Sequence, residues 1–117
     1  MITNSDLTTQ AIEWALSGLE QRSAVIANNV ANAEVPDFAG KKVEFEGQLA
    51  AALNAGRITR MAEPVVLPTG SAPGANGNNV QLEDEMVGMI QTNLMKSAMI
   101  EAFNYKADIL RMALRNQ

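Results

Sequence analysis

Two glutamates in Val43-Glu44-Phe45-Glu46 are the nearest this chain comes to a pair of acid–base carboxylates. Side chains two apart on a strand share a face, at a separation that suits general acid–base work. The sequence supplies neither a pocket nor a basic partner for them, so a solvated face is the simpler account. Asn76-Gly77-Asn78-Asn79 followed by Glu83-Asp84-Glu85 gathers calcium-type oxygens without the alternating loop spacing; the capped start of a helix explains it better. Gly70-Ser71-Ala72-Pro73-Gly74 lacks the Gly-Lys-Ser/Thr ending that grips phosphate, and reads as a flexible loop. Met86, Met89, Met95 and Met99 bring adaptable thioethers without a cluster of other soft ligands, and read as core or interface filling. Histidine and cysteine are both absent, which removes the commonest general base and metal ligand along with thiolate and disulfide chemistry. No catalytic, metal-ligating or cofactor-binding residue emerges, and neither enzymatic activity nor a cofactor is expected.

The charge balance narrows the partners. With 13 acidic and 9 basic residues the formal net charge is −4, so nothing is available to neutralise a run of phosphates, and nucleic acid is excluded as a partner. Hydrophobic residues are 47% of the chain, yet no apolar run reaches the roughly 18 residues of a bilayer span, so membrane insertion is excluded too. The residues after Met1 have neither a basic start nor a continuous apolar core, and no cleavable secretory signal is expected. Aromatics are only 4%, while Ala, Leu and Met are plentiful, a palette for helix–helix packing.

Three segments follow, residues 1–35, 36–79 and 80–117. In the first, Ser5 or Asp6 can cap a helix along which Ile12, Leu16, Leu19, Ser23, Ile26 and Val30 recur in steps of four and three, with Pro36 ending it. Asn28, Asn29 and Asn32 are poor helix formers that either cap the exit turn or bind backbone of the following loop or of a neighbouring subunit. In the middle, the alternation at Val43–Glu46 predicts a short strand, and Leu49–Leu53 a brief helix closed by Asn54-Ala55-Gly56. Glu63–Asn79 carries three of the four prolines and reads as an extended, mobile connection. The last segment predicts the longest helix, from Leu82 to Arg115, with Leu82, Met86, Met89, Asn93, Lys96, Ile100, Phe103, Ala107, Leu110 and Leu114 on one stripe and Val87, Ile90, Leu94 and Ala98 widening it. The fold class is therefore mainly α: two long terminal helices forming a coiled-coil hairpin, with an irregular middle containing a short strand and a short helix. Two such helices cannot bury two broad apolar faces against each other, and the excess calls for other subunits.

Two stretches carry more than periodicity. Ala27-Asn28-Asn29-Val30-Ala31-Asn32-Ala33-Glu34-Val35-Pro36-Asp37-Phe38 resembles the Asn-Asn-Ile-Ala-Asn-x-x-x-Pro-Gly-Tyr signature of the axial proteins of the bacterial flagellum, its rod and hook. Asn76-Gly77-Asn78-Asn79-Val80-Gln81-Leu82-Glu83-Asp84-Glu85-Met86 resembles the Gly-Asn-x-Val-x-Leu-x-x-Glu start of their C-terminal helix. The motif residues are Asn28, Asn29, Ala31, Asn32, Pro36, Phe38, Asn79, Val80, Leu82 and Glu85. Short length and the Leu110-Arg111-Met112-Ala113-Leu114 tail resemble the proximal-rod members; Met99–Tyr105 lacks the Tyr/Ala-Tyr-Glu-Ala-Asn stretch of a sister proximal-rod branch. Asp37 stands where the signature has Gly, Phe38 where it has Tyr, and Gln81 where the helix cap is often Asp. Asp tolerates left-handed angles better than most residues, so the turn can survive.

The resemblance implies a structural subunit of the basal-body rod, used in motility. Its terminal helices would line a tube through which exported subunits pass, and it would leave the cytoplasm through the flagellar type III apparatus. The implied neighbours are other copies, other rod proteins, the inner-membrane ring adaptor FliE and the export gate. Subunit contact would then fall to Ile12, Leu16, Leu19, Ile26 and Val30 on the first helix and Leu82, Met86, Met89, Ile100, Phe103, Leu110 and Leu114 on the last. The rival from composition alone is a soluble helical-hairpin adaptor or chaperone, which needs no ring platform.

Overall fold

In the computed structural model, which describes residues 6–58 and 63–115, Asp6 caps the first helix, its Oδ1 accepting from the Thr8 amide at 3.3 Å. Ser5, the other candidate cap, lies outside the described residues. α1 runs Leu7–Ala31, and the turn before Pro36 ends it. β1 (Lys41–Glu44) leads into α2 (Glu46–Ala55), which Gly56 closes in the left-handed region at φ 79°. β2 (Val65–Pro68) pairs antiparallel with β1, Lys41 opposite Pro68 and Glu44 opposite Val65. α3 (Leu82–Arg115) is 34 residues, about 51 Å at the α-helical rise. Glu83, Asp84 and Glu85 in its first turn and Arg115 in its last both complement the helix dipole. No helix among the described residues is long and apolar enough to cross a membrane.

The mainly helical plan expected from periodicity is the one observed. Local expectations change: the strand expected at Val43–Glu46 lies at Lys41–Glu44, and the helix expected at Leu49–Leu53 starts at Glu46. Within Glu63–Asn79 the stretch Val65–Pro68 is a strand paired with β1, and the Thr69 amide extends the ladder to the Gly40 carbonyl at 3.0 Å. Glu44 and Glu46 do not share a strand face, because the strand ends at Glu44 and Glu46 opens α2. Proline at the end of a short outer strand is compatible with pairing, since no ladder donor is needed there.

α1 is the spine. One flank meets the middle segment, the other meets α3. Ala15, Leu19, Val43 and Phe45 form the buried centre, with Trp14, Val25, Leu49 and Met99 packed around it. The Phe45 ring lies over Gly18, where an added Cβ would sit 2.7 Å from ring carbons. That ring cannot retreat: Trp14 meets it edge-on at 5.6 Å and the Arg22 guanidinium stacks 4.8 Å from its centroid. Glycine is thus required at position 18 by close approach rather than by backbone angle.

Candidate assembly surface and the polar joint behind it

Three anchors of the expected α1 seam, Ile12, Leu19 and Ile26, are buried inside the chain. Beside them, however, Ala15, Gly18 and Asn29 are buried, whereas Leu16 is half-buried and Val30 exposed. Sequence reading missed Ala15, Gly18 and Arg22 because small and charged residues carry no hydrophobic periodicity. A small residue facing an aromatic one is the signal that could have found the first two.

Arg22 ties α1 to the start of α2. Its Nη1 and Nη2 donate to Glu46 Oε2 and Oε1 at 2.7 and 2.9 Å, and Nη2 and Nε donate to the Val43 carbonyl at 2.7 and 3.3 Å. The forked hydrogen bonds from Arg22 hold the Glu46 carboxyl at about 2, from an ordinary 4.5. A depressed folded-state pKa stabilises fully above the ordinary value and is lost as pH falls toward 2. The Glu46 side chain is 53% exposed, so solvent screens the pair and its worth is about 1 kcal/mol. Glu46→Gln should therefore lower unfolding free energy by about that amount at pH 7, with parent and variant converging as pH approaches 2 in urea titrations.

The face that α3 turns to α1 is polar and small. Glu85, Gly88, Thr92, Lys96 and Met99 occupy it, with Thr92 buried and its hydroxyl donating to the Gly88 carbonyl at 2.7 Å. Lys96 reaches across to Glu20 Oε1 at 3.2 Å and Ser23 Oγ at 3.4 Å. Farther along, Lys106 pairs with Asp6, and that hydrogen bond holds the Asp6 carboxyl below its ordinary range. The apolar stripes therefore face outward. Met86, Ile90 and Leu94 are 61, 65 and 71% exposed, and Leu82, Val87, Ile100, Ile109, Met112 and Leu114 are exposed as well. Of the other expected contact residues, Phe103 is exposed at the margin, while Met89 and Leu110 are half-buried. A shallow apolar groove runs beside this stripe, floored by Ile12, Ala15 and Leu19 and walled by Leu49, Leu53, Met95 and Met99.

Behind this surface the two sequence motifs meet. Asn29 is buried with its whole amide partnered: Nδ2 donates to the Lys41 carbonyl at 2.8 Å and to Glu85 Oε1 at 3.0 Å, and Oδ1 accepts from the Lys41 amide at 3.0 Å. Asn78, also buried, donates to the Asn32 and Val35 carbonyls at 2.8 and 2.7 Å and accepts from the Val80 amide at 2.8 Å. Asn79 accepts from the Gly40 amide at 2.7 Å and donates to the Ser71 carbonyl at 3.1 Å. Asn32 ends α1 by donating to the Asn28 carbonyl, whereas the Asn28 side chain and Ala31 point to solvent. Beyond the exposed Pro36, Asp37 takes φ 62°, as its tolerance of left-handed angles allows, and its amide donates to the Asn76 carbonyl at 3.0 Å. Gly77 opposite, at φ 84°, leaves the room that the Asp37 carboxylate fills. Phe38 lies beneath the Lys41 ammonium at 5.7 Å.

A thin helical hairpin, its buried asparagines held in an internal joint and its broadest apolar stripe turned outward, has the build of a subunit of a larger assembly. No family model matches the chain. It is 30% identical over 119 residues to the flagellar basal body rod protein FlgB of Bacillus subtilis (strain 168), covering 92% of each chain. It is 28% identical over 119 residues to the flagellar basal body rod protein FlgB of Borrelia hermsii, covering 79% of this chain and 85% of that one. The chain belongs to the FlgB family of flagellar basal body rod proteins. It is a structural protein of the flagellar basal body, as its two motifs implied.

Proposed function

We propose that the chain builds the rod by seating its outward α3 stripe against neighbouring subunits, its own copies and other rod proteins. The observation that carries this is the exposed row Met86, Ile90 and Leu94, continued by Ile100, Ile109 and Met112 on a helix whose inner face is polar. Area supports the reading. The chain exposes 7758 Å², against about 6,200 Å² for a compact monomer of 12.6 kDa. The excess, about 1,600 Å², is what a subunit would cover with about 800 Å² against each of two neighbours. Of the expected contact residues, Val30, Leu82, Met86, Ile100, Phe103 and Leu114 are free to serve; Ile12, Leu19 and Ile26 act by holding the hairpin together. Export through the flagellar type III apparatus, a periplasmic location in the rod, and contacts with FliE and the export gate belong to the same proposal and rest on the motif resemblance. Glu46, whose carboxyl is held well below the ordinary range, answers to Arg22 on α1.

A photo-crosslinking residue placed at Ile90 tests the contact in cells. Adducts to rod subunits in purified basal bodies are expected. Adducts from Ile90 confined to a free oligomer, with basal bodies lacking the chain, would instead favour the soluble hairpin adaptor.

A further inference from the structure

The assembly surface is useful only if α3 presents it at one rotation, and the geometry points to a single side chain that sets this. We propose that Asn29 is the register-setting residue of the hairpin, fixing the start of β1 and the start of α3 against the same turn of α1 before any second subunit arrives. This rests on the assembly reading only for its purpose; the joint itself lies wholly within one chain. The two polar atoms of one buried amide make three hydrogen bonds, to three groups on two other segments. Gripping Lys41 on both its amide and its carbonyl leaves β1 no room to slip, since a one-residue shift would break both bonds at once. The same Nδ2 holds Glu85, one residue inside the face that α3 turns to α1. A 100° error in helix rotation at Glu85 would turn Thr92 and Lys96 out and an apolar stripe in.

Asn28 provides the contrast. It is adjacent, chemically identical and also part of the motif, yet its side chain is exposed. The two asparagines are indistinguishable by composition and separate completely by placement.

The chain has no cysteine, so single cysteines report rotation cleanly. The probe is the maleimide labelling rate of Thr92→Cys, two turns beyond the joint on the inner face, with Leu94→Cys as the outward reference and Met99→Cys as a second inner probe. In the purified full chain, labelling at position 92 should be at least tenfold slower than at 94. Adding Asn29→Ala should raise the rate at 92 at least tenfold, whereas Asn28→Ala should leave it unchanged. Asn29→Asp sets a carboxylate against Glu85 and against the Lys41 carbonyl and should also speed labelling; adding Glu85→Gln restores the link to α3 with donor and acceptor exchanged, but not the donation to Lys41, and should slow labelling partway back. Equal labelling at 92 with and without Asn29→Ala, repeated at 99, would overturn the proposal and leave Asn29 as a local cap. Fast labelling at both inner positions in the parent would overturn it as well, because the rotation would then not be set within one chain.

Discussion

Leu94→Asp should abolish rod assembly and swimming while leaving the isolated chain as stable as its parent, within about 0.5 kcal/mol. Leu94 is 71% exposed, so a charge there is hydrated in the free subunit. In the assembly the same carboxylate would enter an apolar contact without a partner. Leaving an unpaired charge buried costs about 3–5 kcal/mol, a loss of a factor of a hundred to several thousand per contact. The effect multiplies because every copy carries it. Urea unfolding of the purified chain and electron microscopy of basal bodies give the two measurements. Flagella of normal number and length in this variant would remove α3's outer stripe from the assembly surface.

Leu19→Asp should do the reverse: the chain itself fails. Leu19 is 1% exposed at the point where α1, Val43 and Phe45 meet, and it and Asn29 are the largest fully buried side chains among the described residues. Truncating a buried leucine to alanine costs about 3–5 kcal/mol, and a carboxylate in the same place adds its desolvation. Against a total stability of about 5–15 kcal/mol for an ordinary domain, and a core much smaller than usual, that suffices to unfold the molecule. Circular dichroism should show loss of the cooperative transition in Leu19→Asp, with Leu16→Asp, at a half-buried position on the same helix, retaining it. A cooperative transition surviving in Leu19→Asp would mean that the hairpin is held by the joint and ion pairs, not by this core.

Much was legible before any fold was known. Helix ends announce themselves through local chemistry: Asp6 can cap, Pro36 cannot continue a helix, and Gly56 and Gly77 accept positive φ. The long α3 followed from its unbroken periodicity. The asparagine motif was visible as well, but its division of labour was not. Sequence left open whether the amides of Asn28, Asn29 and Asn32 served the exit turn, the loop or a neighbour, and each received a different answer. The Val65–Pro68 strand was hidden because a short outer strand beside prolines has no alternation to show. Its hydrogen bonds exist only because β1 offers an unpaired edge.

Sequence alone determined the two long helices, where they stop, and that more apolar surface exists than one hairpin can bury. These are local or additive properties, set by capping, by φ restrictions and by composition. Tertiary structure decided which stripe faces which partner. On α1 the choice fell on Ala15, Gly18, Arg22 and Asn29 beside the three leucine and isoleucine anchors, because Phe45 needs a flat bed and β1 needs its backbone groups bonded. On α3 it fell on Gly88, Thr92 and Lys96 rather than on the methionine and leucine stripes. Periodicity specifies the angles between stripes but not their orientation toward a neighbour; that was settled by satisfying buried polar groups, which hydrophobic burial cannot replace once they leave water.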